Sequence, residues 1–199
     1  MPDEYTWDID KRRYISPKGK VITPTMQKKL AAQVVDKSAA VMEQLGTRYV
    51  AGTISHAEWA SAMREAVKNV HSSTVQFAYG GKSQMGPREL GKLGQTIKEQ
   101  NKFLSAFVNE VERGVVGDAG IINRSQMYGE AAYSSYESSI NDREKEAGMT
   151  EERSFLEPEA DHCEECFDEA SKGWSPIDSL IPVGERQCLV RCQCSFEYR

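Results

Sequence analysis

The sequence predicts a mainly α-helical protein: a bundle of four mostly long helices followed by a small, cysteine-clipped α+β lobe at the C-terminus. Three observations carry this prediction. Apolar residues recur at three- and four-residue steps through positions 25–148, and helix-opening residues precede the runs. After Gly148 that spacing gives way to short segments of strand character. All five cysteines fall between positions 163 and 194. The 199 residues thus divide into an N-terminal hairpin or arm (1–24), a helical body (25–148) and a cysteine-rich lobe (149–199).

The arm comes first. Tyr14-Ile15 and Val21-Ile22 flank Pro17-Lys18-Gly19-Lys20, whose residues suit a turn, so Trp7 to Thr23 reads as a short hairpin. Thr23-Pro24 then opens a helix, with a capping residue followed by proline at the first helical position. Met26, Leu30, Val34, Val41 and Leu45 predict its apolar face, and Gly46 and Gly52 mark the region of its end. Ser55 and Glu58 form a capping box for the second helix. Trp59, Met63, Ala66, Val67 and Val70 predict its buried stripe, which weakens near Ser72-Ser73-Thr74 before a break at Tyr79-Gly80-Gly81-Lys82. Gly86-Pro87 opens the third. Leu90, Leu93, Ile97, Leu104, Phe107 and Val111 make it the cleanest amphipathic pattern in the chain, ending near Gly114. The fourth helix is expected from about Asp118 to Gly148. Tyr128, Ala132, Tyr136 and Ile140 line one side of it as core, and Gly129, Ala131, Ala132, Ser134 and Ser135 are small enough for a neighbouring helix to come close. In the lobe, Arg153–Leu156 and Cys194–Tyr198 predict two strands that pair. A short helix, about Glu164 to Lys172 and closed by Gly173, lies between them.

Composition narrows the function classes. Hydrophobic residues make up 39% and charged residues 28%, enough for a packed core. No apolar run approaches the roughly 18 residues that span a bilayer. The acidic, aromatic start Met1-Pro2-Asp3-Glu4-Tyr5-Thr6-Trp7 has neither the basic flank nor the apolar stretch of a signal peptide. The expectation is a soluble chain made in a cytosol, with no membrane partner. The net charge of −5 is uneven: residues 151–199 carry 12 acidic against 5 basic side chains. Such a lobe is poorly suited to DNA phosphates, which need clustered Lys and Arg. The first 30 residues, with 7 basic and 4 acidic side chains, fit either a weak nucleic-acid or partner patch or a solvated face.

The cysteines carry the chemistry. Their pattern is Cys163-x2-Cys166, then 21 residues, then Cys188-x3-Cys192-x-Cys194. A C-x-x-C step puts two sulfurs on one side of a tight turn whose own N–H groups can donate to the thiolates. Two such elements face to face supply the tetrahedral sulfur set that zinc prefers. A lobe of about 45 residues has too little apolar surface to hold itself together, and a structural metal is a common remedy. One structural zinc ion is therefore expected, giving a zinc-clipped α+β lobe. Cys163, Cys166, Cys188 and Cys192 are the favoured ligands, with Cys194 as the alternative to Cys192 in the fourth place. His162 reads as a neighbour of the site rather than a ligand. One or two disulfides with a thiol left over, or a redox-active C-x-x-C, are the competing readings. A cytosolic setting weighs against the first, and the absence of a thioredoxin-like βαβ pattern against the second.

From about Arg124 to the C-terminus the chain resembles the C-terminal module of bacteriophage head-morphogenesis proteins, minor capsid proteins of the kind found in phage Mu. The matching pieces are Arg124 with the Met127–Glu130 segment, Ala147-Gly148-Met149-Thr150-Glu151, Asp161-His162-Cys163-Glu164-Glu165-Cys166, Gly173-Trp174, and Cys188-Leu189-Val190-Arg191-Cys192-Gln193-Cys194. The family's histidine before the last cysteines is replaced by Cys188, one residue farther upstream, and its Pro-Asn by Val190-Arg191. A cysteine in place of histidine keeps zinc chemistry available. The resemblance implies a non-enzymatic virion component, assembled in the host cytoplasm in multiple copies. It implies portal or capsid proteins as partners and, for some members, weak contact with packaged DNA, here through the N-terminal half.

No catalytic pattern competes. His56, His71 and His162 form no recognisable catalytic pair, and no G-x-S-x-G, Walker loop or dinucleotide fingerprint occurs. The expectation is no enzyme, no catalytic residues and no organic cofactor. The other reading is a zinc-ribbon adaptor or nucleic-acid-binding regulator.

Overall fold

The computed structural model describes residues 5–199; Met1–Glu4, the first part of the acidic, aromatic start, lie outside the described residues. Strand β1 (Thr6–Asp8) pairs antiparallel with β2 (Arg13–Ile15), Trp7 opposite Tyr14. The hairpin expected around Pro17–Lys20 is reduced to a single bridge, Ile15 to Val21, and a bond from the Ile22 N–H to the Tyr14 carbonyl. The main turn lies earlier because pairing with residues 6–8 buries Tyr14, whose hydroxyl donates to the Phe77 carbonyl at 3.1 Å.

Helix α1 (Pro24–Val50) starts where its capping chemistry puts it: Thr23 Oγ1 accepts from the Met26 N–H at 3.2 Å. Its buried face is Gln27, Leu30, Ala31, Val35, Ala39, Met42 and Gly46. Of the expected stripe, Leu30 belongs to this face, whereas Met26 and Val41 are exposed. The seam is made of small residues, and apolar bulk alone does not reveal it. Gly46 sits inside the helix, not at its end. A Cβ there would stand 3.1 Å from the Ile122 Cα of the crossing helix.

Helix α2 (His56–Tyr79) has the full capping box. Trp59, Met63, Val67 and Val70 are buried as expected, but the buried face does not weaken at Ser72–Thr74. His71, Thr74 and Val75 continue it, and Thr74 Oγ1 satisfies itself on the Val70 carbonyl at 3.0 Å. The helix ends at left-handed Gly80, where a Cβ would lie 2.3 Å from the Trp7 ring. Helix α3 (Pro87–Glu112) buries Leu93, Leu104, Phe107, Val108 and Val111, while Leu90 is exposed. Glu89 accepts the Gly86 N–H at 2.7 Å.

The expected fourth helix is two: α4 (Asp118–Glu130) and α5 (Ala132–Glu146), interrupted at Ala131. Two local causes meet there. Gly129 lies against Ala39 so closely that a Cβ would be 2.5 Å from the Ala39 Cα. Ser134 Oγ also takes the Ala131 carbonyl at 2.7 Å, which bends helices. The expected close approach of a neighbour at these small residues is the α1 crossing. Ala132 and Tyr136 are core.

The lobe is a three-stranded antiparallel sheet in the order β4-β3-β5 with one helix. Strand β3 (Glu151–Phe155) pairs with β5 (Ser195–Tyr198), Ser154 opposite Phe196, as the alternation predicts. Short β4 (Ser175–Pro176) adds the other edge. Helix α6 (Glu164–Ser171) ends ahead of left-handed Gly173. One apolar core runs from the arm through the body into the lobe and includes Tyr14, Trp59, Phe107, Tyr136, Cys166 and Cys192. Among the described residues no helix is long and apolar enough to cross a membrane.

Candidate metal centre

Three elements carry the sulfurs. Cys163 is the N-cap of α6 and Cys166 lies in its first turn. Cys188 precedes a single 3-10 turn, Leu189–Arg191, and Cys192 follows it. Leu189 there is left-handed, with φ of 48°, so the chain reverses tightly enough to bring Cys188 and Cys192 to one side. Cys194 leads into β5.

The sulfurs converge. Cys163 Sγ is 3.4 Å from Cys166 Sγ and 3.6 Å from Cys188 Sγ, and Cys166 is 3.5 Å from Cys188 and 3.9 Å from Cys192. Sulfurs on one tetrahedral zinc, with Zn–S bonds of about 2.3 Å, lie about 3.8 Å apart. None of the five is bonded to another as a disulfide. Cys166 and Cys194 are fully buried, Cys192 nearly so, and Cys163 and Cys188 are half-buried. The Cys166 N–H donates to the Cys163 carbonyl at 3.0 Å; the Cys166 and Cys194 N–H groups lie near the Cys163 and Cys192 sulfurs and favour their charged forms. Mutual interaction with Cys194 holds Cys192 below its ordinary thiol value, and Cys194 is held above it. The clustered cysteines, with His162, can hold a metal ion.

His162 was placed beside the site by its position in sequence; the fold puts it within the cluster. Its Nδ1 is 3.5 Å from Cys194 Sγ. Its Nε2 is 2.8 Å from the Glu157 carbonyl. The signal available in sequence was only its adjacency to Cys163.

Carboxylates build the frame. Glu152, Glu169 and Glu165 accept the backbone N–H groups of Leu180, Ile181 and Gln187 at 3.1, 3.1 and 2.7 Å. They thereby anchor the loop that runs between the two cysteine groups. Arg186 is fully buried beneath it and donates to the Ile181 carbonyl and Ser154 Oγ, both at 3.0 Å. Part of the lobe's acidic excess is therefore structural. Trp174, in the aromatic turn, lies under Arg153 and Arg199.

The lobe docks on the body through polar groups around a cleft of about 490 Å³ lined by Lys28, Tyr136, Glu137, Arg143, Trp174 and Phe196. Lys28 binds Glu157 at 3.1 Å and Ser195 Oγ at 2.9 Å. Glu137 accepts the Phe196 N–H at 3.4 Å. Burial pushes its carboxyl up to about 7 against the opposing pull of Lys28. Arg124, the first residue of the family resemblance, pairs with Glu110 at 2.5 Å and stacks on Phe107.

No family model matches the chain, and comparisons with curated proteins and with solved structures likewise find no match.

Proposed function

We propose that this chain is a minor structural protein of a bacteriophage virion. In this reading it acts in head assembly in contact with portal or capsid subunits, in several copies, and carries structural zinc in its C-terminal lobe. The observation that carries the reading is the cysteine cluster whose buried sulfurs belong to the core shared by lobe and body. An all-thiolate zinc is coordinatively closed and holds a fold together rather than offering an open position for chemistry. Zinc suits the donor set because soft thiolates at tetrahedral spacing select it over the harder cations. The order of residues from Arg124 to Cys194 supports the virion assignment by family resemblance, and the absence of a catalytic pattern accords with a non-enzymatic role.

The nucleic-acid-binding alternative calls for a clustered basic face. Two basic residues of the first 30 are engaged inside the molecule: Arg12 donates to the Arg143 carbonyl at 2.9 Å, and Lys28 is held by Glu157 and Ser195. Cross-linking mass spectrometry on purified particles of the encoding phage tests the proposal. The expected result is this chain, in more than one copy, joined to portal or capsid subunits. Particles lacking the chain would overturn it, and salt-dependent retention of DNA by the purified chain would favour the regulator instead.

A further inference from the structure

The lobe keeps large apolar side chains in water beside its cysteines. Phe167 and Leu189 are each 54% exposed, although each directly follows a cysteine of the cluster. The two turns that carry them abut: Cys166 Sγ lies 3.5 Å from Cys188 Sγ, and Glu165 accepts the Gln187 N–H at 2.7 Å. Single exposed apolar residues are ordinary on a protein surface, but two on abutting turns mark a place where another surface can settle. Both are also held in position. Phe167 packs edge-on against the His162 ring, with centroids 5.8 Å apart. Leu189 has φ of 48°, a left-handed backbone that glycine or asparagine adopts at lower cost. The turn between Cys188 and Cys192 therefore carries strain to present a leucine to solvent.

Charge sets the kind of partner. Asp161, Glu164, Asp168 and Glu185 lie on or beside the two turns in sequence, are exposed, and form no ion pair among the described residues. Glu164, Phe167 and Asp168 recur at three- and four-residue steps and so share one face of α6. The cations of the same segments are already committed. Lys172 pairs with Glu169, Arg191 binds Glu130 and Asn123 of the body, and Arg186 is buried. The result is an apolar pair with an acidic surround, which selects a partner of opposite sign and repels a nucleic-acid backbone.

We propose that Phe167 and Leu189 anchor a docking patch on the lobe, and that its occupant is a basic segment of another protein with large apolar residues set among its Lys and Arg. This rests on the structural, partner-binding reading above and gives that contact a face and a chemistry. A yeast-displayed library of random peptides, selected against the purified full-length chain, tests it. Enriched peptides are expected to combine Lys or Arg with aromatic or aliphatic residues, and to bind more weakly as salt rises. Phe167→Ala with Leu189→Asn, which keeps the left-handed turn, should weaken their binding about tenfold or more. Glu164→Gln with Asp168→Gln should weaken it and flatten its salt dependence. All four side chains are exposed, so both double variants should keep the circular dichroism spectrum of the wild type. No enrichment, enrichment of acidic or uncharged peptides, or binding indifferent to either pair of substitutions would overturn the proposal. Self-association of the chain that Phe167→Ala with Leu189→Asn abolishes would also overturn it, by assigning the patch to a second copy. The particle cross-linking above is indifferent to which face makes the contact, so the two readings fail separately.

Discussion

Glu137 and His71 show how burial sets the pH behaviour of single side chains. Glu137 is raised from 4.5 to about 7 by burial, so the fold favours its neutral form. Its contribution to stability is full below about pH 4.5 and is lost as pH rises through about 7. His71, on α2, is lowered from 6.5 to about 4 by burial, with Nδ1 at 2.9 Å from Ser135 Oγ. Its contribution is full above 6.5 and is lost as pH falls toward 4, so the two oppose each other between about 4.5 and 6.5. Glu137→Gln isolates one of them. Relative to wild type, the variant should gain stability as pH rises from 5 to 8, by up to about 3 kcal/mol. Urea unfolding at both pH values reads this, and parallel profiles would contradict it. Neither residue was legible in sequence, because its environment comes from elements distant along the chain. Phe196 lies 59 positions beyond Glu137. His162 is the same kind of case: Glu157 and Cys194 orient it, and neither relation is visible in a linear pattern.

Local chemistry fixed most element starts, and these were legible. Thr23-Pro24, Ser55 with Glu58, and Gly86-Pro87 each open a helix as predicted. Ser55→Ala should cost about 1 kcal/mol by loss of the cap, read in thermal unfolding. The interior of the bundle was less legible. The α1–α4 seam uses Ala39, Gly46 and Gly129, and small residues leave no apolar signal. That is why the predicted α1 stripe was displaced and the interruption at Ala131 was missed. Two glycines separate packing from propensity. Gly129→Ala should destabilise by about 2–3 kcal/mol, since its Cβ meets the Ala39 backbone. Gly91→Ala, with open space around it in α3, should stabilise by up to about 1 kcal/mol. Equal effects at the two sites would show that the seam is looser than its geometry.

For the whole molecule, lobe and body share one apolar core, and polar contacts from Lys28, Glu137 and Asn141 cross the seam. The lobe's strand pairing and cysteine spacing were readable because both are short-range patterns. Its third strand, only two residues long, and its carboxylate-anchored loop were not. If metal holds this lobe, chelation under reducing conditions should raise hydrogen exchange across residues 150–199 while α1–α3 keep their protection. Unchanged exchange in the lobe would mean that packing alone sustains it.

The central claim is that the clustered cysteines hold a metal ion that closes the lobe. Native mass spectrometry of the purified chain tests it most directly. The predicted result is a mass above the bare chain by bound zinc, with all five cysteines alkylatable once the metal is removed under denaturing conditions without reductant. A mass equal to the bare chain, or lower by two protons for each disulfide, would contradict it.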